Sequence, residues 1–309
     1  MKPIKGLKFV DDAMFGRKYR KWSYLETFFF LLKEGISRFV KNSYNGFSAL
    51  LFIRKWRKKG KDGRYFDFNG AKLPDLPRFN NIYGLMSLFE DTFLSFCFFD
   101  DRYDKPFVET LDKHLHEGPY GYVDGAFDVT VKQGDVVIDA GAWIGDFSAY
   151  SAAKGATCYA FEPIEHTFQY LCKTAKFYER LIHPIQKGLG EKTQELTINS
   201  SKELVGVSSI VMKNEYHVST EKIAVTTLDQ FVAENNLSKI DFIKADIEGA
   251  ERDMLRGASH VLKTFAPKLA ICTYHLSDDP QVLEQIILDT NPNYTVVHLR
   301  HKLFAAVTK

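Results

Sequence analysis

The chain has 309 residues, 45% hydrophobic and 26% charged, with 41 Lys and Arg against 39 Asp and Glu for a net charge of +2. This balance excludes a disordered tail, a collagen-like fibre and a small disulfide scaffold, and the length allows one large domain or an ordinary domain with an added module. The near-neutral total hides a split: residues 1–64 carry 17 Lys and Arg against 5 Asp and Glu, a balance of +12, which leaves −10 on the remainder.

The first segment, Met1 to Lys21, is charged throughout and has no apolar centre of signal-peptide type, so the chain is expected in the cytoplasm. Apolar residues then recur at Trp22, Leu25, Phe29, Leu32, Ile36 and Phe39, steps that mark one face of a helix. A second apolar stretch, Phe47 to Ile53, runs into the basic cluster Arg54, Lys55, Trp56, Arg57, Lys58, Lys59 and Lys61. Two readings stand for this arm. It packs its apolar face on the main domain with solvated lysines outside, or its basic cluster makes peripheral contact with the anionic inner face of a membrane. Gly60 to Asn81 is rich in Gly, Pro, Asp and Asn and reads as a linker or loop, while Tyr83 to Phe99 reads as a buried helix. Residues 1–106 are thus expected to form a basic, mainly helical extension, and residues 107–309 the main domain. The cysteines, Cys97, Cys158, Cys172 and Cys272, show no metal-type spacing and are expected to be core residues.

From Gly134 the pattern becomes regular. Strands are predicted at Asp135 to Ala140, Ala156 to Phe161, Ile182 to Lys187, Ile240 to Ala245 and Lys268 to Thr273. Helices are predicted between them at Asp146 to Lys154, Pro163 to Tyr178, Thr227 to Asn235, Ala250 to Lys263 and Pro280 to Asp289. Glu195 to Ile198 and Ser208 to Met212 read as excursions at the sheet edge. Tyr294 to Leu299 and Leu303 to Val307 are only three residues apart, so they must pair antiparallel. The expected fold is α/β: a Rossmann-like, doubly wound, mostly parallel sheet with an antiparallel hairpin last.

The turn after the first of these strands reads Asp139-Ala140-Gly141-Ala142-Trp143-Ile144-Gly145-Asp146. A glycine turn between a strand and a helix is a credible cofactor cradle, with Gly141 allowing the bend and Gly145 allowing close packing at the helix start. The spacing is not the dinucleotide fingerprint, and Asp146 places a carboxylate where a pyrophosphate would sit. Glu162, at the end of the next strand, is in register to accept hydrogen bonds from both ribose hydroxyls. Ribose recognition without phosphate recognition, beside acidic residues, describes S-adenosyl-L-methionine. A nicotinamide-dependent oxidoreductase on a similar sheet is one alternative, and a non-enzymatic membrane- or partner-binding protein with a retained cofactor fold is another.

At these residues the chain resembles the FkbM-type methyltransferases of the class I S-adenosylmethionine-dependent superfamily. The likeness rests on Glu117-Gly118-Pro119-Tyr120, on VVIDAGAWIGDFSAY (Val136 to Tyr150), on YAFEP (Tyr159 to Pro163) and on IDFIKADIEGAERDML (Ile240 to Leu255). The resemblance implies a seven-stranded sheet and methylation of a hydroxyl on a sugar, glycan or polyketide. It also implies a cofactor site using Asp139, Gly141, Trp143, Gly145 and Glu162, with Asp246 near the methyl group. Where the family often shows Glu-x-His after the fifth strand, this chain has Thr273-Tyr274-His275.

Methyl transfer to a hydroxyl needs the acceptor held in line and benefits from a base. His275, past the fifth strand, and Asp246, closing the apolar strand IDFIKA, are the two candidates. For His275 a hydrogen-bonded loop histidine is the competing reading. Glu248 and Glu251 are placed to cap the following helix. A magnesium ion gathered by Asp246, Glu248, Asp278 and Asp279 has no spacing rule behind it, and no metal is expected. His114, His116, His298 and His301 are expected to be structural or exposed. The acidic body and the lack of a reading motif in the arm speak against a nucleic-acid partner.

Overall fold

The computed structural model describes residues 57–61, 63–68, 70–76, 120–200, 219–299 and 301–308. The helices expected over 22–40 and 83–99, most of the basic arm and the segment 208–212 lie outside the described residues. The chain divides into two compact units, one of residues 1–68 and 74–118, the other of residues 69–73 and 119–309.

In the first unit, β1 (Arg57–Gly60) and β2 (Gly63–Phe68) form an antiparallel hairpin. Arg57 and Arg64 both reach the Asp75 carboxylate, at 2.8 and 3.1 Å. Residues 71–73 of β3 (Ala71–Pro74) belong to the second unit, and over the described residues up to 76 these strands correct the loop reading of 60–81. Gly63 and Gly70, both at positive φ, make the turns. At Gly63 the glycine signalled a reversal between two short strands rather than a linker.

From residue 119 onward the second unit opens with a hairpin of β4 (Tyr122–Asp124) and β5 (Phe127–Val129). Then follow β6 (Val136–Ala140), α1 (Asp146–Ala153), β7 (Thr157–Phe161), α2 (Glu165–Ala175) and β8 (Ile182–Ile185). A small separate sheet holds β9 (Gly188–Leu189), β10 (Gln194–Ser200) and β11 (Ser219–Thr226) in the order β10-β11-β9. Residues 195–198 therefore belong to this sheet and not to an edge of the main one. The chain continues through α3 (Leu228–Glu234), β12 (Phe242–Ala245), α4 (Glu251–Arg256), α5 (Ser259–Thr264), β13 (Lys268–Cys272), α6 (Asp279–Thr290), β14 (Thr295–Leu299) and β15 (Lys302–Ala306).

The main sheet has seven strands in the order β14-β15-β13-β12-β6-β7-β8. Strands β13, β12, β6, β7 and β8 run parallel, and β15 pairs antiparallel with β13 and with β14. The expected doubly wound sheet with a terminal antiparallel hairpin is the observed one. Its parallel strands bury both faces, which is why VVIDA and FIKA are nearly free of alternation. Helix α1 is buried along almost its whole length, while α2 buries only Thr167, Leu171, Thr174 and Ala175, one stripe at helical spacing. Among the described residues, a large core cluster joins Ile138, Phe161, Phe231, Ile243, Met254, Leu262, Leu269 and Leu303 across the sheet and its helices. Burial of each such side chain contributes about 1.5–3 kcal/mol.

The helix expected over 250–263 is two helices, broken at Gly257 and Ala258. A Cβ on Gly257 would lie 2.0 Å from the Gly190 carbonyl oxygen, so the backbone of the β9–β10 connection occupies the space a side chain would need. Among the described residues, no helix is long and apolar enough to cross a membrane.

Candidate functional site at the carboxyl edge of the sheet

From β6 the chain moves outward to β7 and β8, then returns to place β12 and β13 on the other side of β6. The strand order therefore reverses between β6 and β12, the position at which open α/β sheets bind ligands. Register sets the edge: Ala140 pairs with both Phe161 and Ala245, and Ala245 pairs with Ile271. The residues that follow, Gly141, Glu162, Asp246 and Cys272, thus emerge side by side, and His275 lies three residues further on.

The glycine turn is tied to its neighbours. The Gly141 and Ala142 amides donate to the Phe161 carbonyl at 3.0 and 2.8 Å. Gly141 has φ +72°, and a Cβ there would sit 1.9 Å from the Asp246 carbonyl oxygen. Its need for glycine is therefore met by the loop after β12. Trp143 adopts φ 50°, left-handed for a bulky residue, at a cost of about 1–2 kcal/mol. Its amide donates to Glu162 Oε2 at 3.1 Å, and the Ile164 amide donates to Glu162 Oε1 at 2.9 Å. A hydrogen bond of this kind contributes about 0.5–1.5 kcal/mol and offsets part of that strain. Gly145, at φ +82°, lets α1 start against α2, since a Cβ there would stand 2.7 Å from Leu171 Cδ1.

Burial pushes the Glu162 carboxyl up to about 8, even though its two amide donors and Lys244 favour the charged form. Asp146, buried at the start of α1, is pushed up to about 6 by burial, against the pull of Lys244. Asp139 is fully buried, accepts a hydrogen bond from Ser148 Oγ at 2.6 Å and faces Lys244 Nζ at 3.2 Å. Lys244 also donates to the Gly141 carbonyl at 2.7 Å. Burial works against its charge, but Asp139, Asp246 and Asp146 hold its pKa well above the usual lysine value.

Asp246 is held by two tyrosines: Tyr120 donates to Oδ2 at 2.7 Å and Tyr274 donates to Oδ1 at 3.0 Å. Lys302 Nζ lies 4.2 Å from the Tyr120 ring centroid, and Lys244 Nζ lies 5.1 Å from it. Burial opposes the charge on Asp246, but Lys244, His275, Tyr120 and Lys302 keep its pKa below the ordinary carboxylate value. The His275 side chain is 3% exposed, with Nδ1 3.1 Å from Glu251 Oε1 and Nε2 3.6 Å from both Asp246 and Glu248. Burial disfavours the imidazolium, but Glu251, then Asp246 and Glu248, outweigh it and push His275 up to about 9.

The expected residues therefore gather at one edge: Gly141, Trp143, Gly145, Asp146 and Glu162 around the turn, Asp246 and His275 beside it. Asp139 sits beneath them on Lys244 and Ser148. Glu251 accepts from the Ile247 and Gly249 amides at 2.8 and 3.0 Å and so ties down the loop before α4, whereas α4 itself has no side-chain cap, against the expected capping role. Asp278 and Asp279 are engaged by Arg252 at 2.5 and 2.7 Å. The roles of Lys244 and Tyr120 were missed. A lone lysine inside the apolar strand IDFIKA was the available signal for Lys244, since a buried cation demands a partner.

A family model described as the methyltransferase FkbM domain matches residues 139–297, from the Asp139 strand end to the last hairpin. The hexuronic acid methyltransferase AglP of Haloferax volcanii is 24% identical over 171 residues, covering 54% of this chain and 67% of that protein. Methyltransferase 1 of Beauveria bassiana is 27% identical over 172 residues, covering 48% and 67%. Among solved structures, methyltransferase FkbM from Methylobacillus flagellatus KT is similar at 22% identity with a TM-score of 0.45, over 78% of this chain and 62% of that one. With the family model covering half of the sequence, the chain belongs to the FkbM methyltransferase family.

Proposed function

We propose that the protein is an S-adenosylmethionine-dependent O-methyltransferase acting on a hydroxyl of a saccharide, glycan or related natural product. The observation that carries this reading is the meeting of the glycine turn, Glu162 and Asp246 at the switch point of the sheet. The donor set suits the cofactor. Glu162 accepts one amide on each carboxylate oxygen and keeps a lone pair on each for ribose hydroxyls. Asp146 and Glu162 supply acid near the turn, while the Lys244 cation is turned to Asp139 and the Gly141 carbonyl.

When bound, S-adenosylmethionine supplies an electrophilic methyl group on a positively charged sulfur. The chain's own work is to bind, orient and handle one proton. In this reading Asp246, held by Tyr120 and Tyr274, accepts the hydroxyl proton as the oxygen forms its new bond to carbon. His275, with Nε2 3.6 Å from Asp246 Oδ1, is the second group at that position. The hexuronic acid acted on by the Haloferax relative, as its name states, makes acidic sugars a first acceptor class to try.

The test is transfer of labelled methyl from the cofactor to neutral and acidic saccharides, followed by mild alkali. Alkali-stable label in the sugar supports an ether at a hydroxyl. Label released as methanol would show a methyl ester instead, and no transfer to any hydroxylated acceptor would count against the reading.

A further inference from the structure

We propose that Asp246, Glu251 and His275 form a binding site for one divalent transition-metal ion. One potential ligand atom from each of the three lies within 4.8 Å of the others. His275 Nδ1 and Glu251 Oε1 are already 3.1 Å apart, close to the roughly 3.0 Å expected between neighbouring ligands with about 2.1 Å bonds at right angles. Asp246 Oδ1 stands 3.6 Å from the other ring nitrogen, so turning the imidazole or the Asp246 carboxylate, within the 4.8 Å that separates the three ligand atoms, completes a set of one nitrogen and two oxygens.

The imidazole itself is the independent observation. Its side chain is 97% buried, and neither ring nitrogen makes a well-aligned hydrogen bond, although Glu251 Oε1 lies 3.1 Å from Nδ1. A buried polar ring normally satisfies at least one nitrogen, because leaving it unmet costs about 1–3 kcal/mol. Here the ring is aimed at three carboxylates, Glu251, Asp246 and Glu248, an excess of negative charge that a divalent cation would balance.

The carboxylates are also held as metal ligands are held. Glu251 is fixed by the Ile247 and Gly249 amides, and Asp246 by the hydroxyls of Tyr120 and Tyr274. Outer hydrogen bonds of this kind orient ligands and tune their basicity. Partial exposure of Asp246, Glu248 and Tyr274 leaves a path for an ion and room for further ligands. An imidazole with two carboxylates favours manganese, iron or zinc over magnesium, which prefers oxygen alone. Binding of the ion does not depend on the methyl-transfer reading. Only its use does: the ion would hold and acidify the acceptor hydroxyl, so that less is asked of Asp246 as a base.

The experiment is titration of the chelator-stripped full chain with Mn2+, reading the free-ion signal by electron paramagnetic resonance, without cofactor present. The expected result is one saturable site per chain, displaced by Zn2+ and weakened at least tenfold in His275→Gln and Glu251→Gln. Circular dichroism identifies a variant that fails to fold, and Asp246→Asn then takes its place with the same expected loss. An undiminished free-ion signal with folded wild-type protein overturns the proposal, as does binding that survives in folded His275→Gln. Cofactor binding measured in parallel separates failure of this site from failure of the methyl-transfer reading.

Discussion

Gly141 and Asp246 meet backbone to backbone: the space for a Gly141 side chain is filled by the Asp246 carbonyl oxygen, 1.9 Å from where a Cβ would stand. The glycine turn after β6 and the acid after β12 are therefore one packed unit, and neither shifts without the other.

Gly141→Ala is expected to destabilise the fold severely, by more than about 4 kcal/mol, because rigid backbone on both sides must move. Gly145→Ala meets the tip of Leu171 instead, and is expected to cost about 1–2 kcal/mol, mostly from its positive φ. Thermal or urea unfolding of both variants checks the order. Equal costs would contradict the account.

The Lys244–Asp139 pair predicts strong coupling. Removing one partner leaves a buried charge, so Lys244→Met and Asp139→Asn are each expected to cost about 3–5 kcal/mol. The double variant is expected to cost clearly less than the sum. Additive losses in urea melts would mean that the two side chains act independently.

The two tyrosines on Asp246 differ in burial, 4% exposure for Tyr120 against 40% for Tyr274. Tyr120→Phe is expected to lower stability by about 1–3 kcal/mol, while Tyr274→Phe stays within about 0.5 kcal/mol of wild type. Comparison of their denaturant midpoints decides this.

Glu162 gives a pH prediction. Its folded pKa, about 8, lies above its ordinary 4.5, so its stabilising protonation is complete below pH 4.5 and is lost as pH rises through 8. Asp146, raised to about 6, acts in the same sense over a lower window, and His275, raised to about 9, over a higher one. Unfolding free energy is thus expected to fall as pH rises from about 5 to 9. The difference between wild type and Glu162→Gln, measured by urea melts across this range, isolates the part due to Glu162. A constant difference would remove its titration from the account.

Much of this was legible in the residues. DVVIDA and KLAICT are apolar runs bounded by turn residues, and the three-residue gap before Leu303 dictated an antiparallel hairpin, observed as β14 and β15. Glu162 and Asp246 were found because strand ends in register point to one edge. What escaped depended on distant contacts. Tyr120 reaches Asp246 across 126 positions, and Glu251 meets His275 only once α4 and the end of β13 are packed. The break at Gly257 likewise follows from Gly190, far away in sequence. At Gly60 to Asn81, turn residues outweighed the short apolar alternation Phe66, Ala71, Leu73 that marks buried strand positions.

The most direct test of the central claim is equilibrium binding of labelled S-adenosylmethionine to the full chain and to Glu162→Gln. The account predicts one saturable site per wild-type chain, competed by S-adenosylhomocysteine but not by NADH, and weakened in the variant. Folded wild-type protein that shows no saturable binding at millimolar cofactor would contradict it.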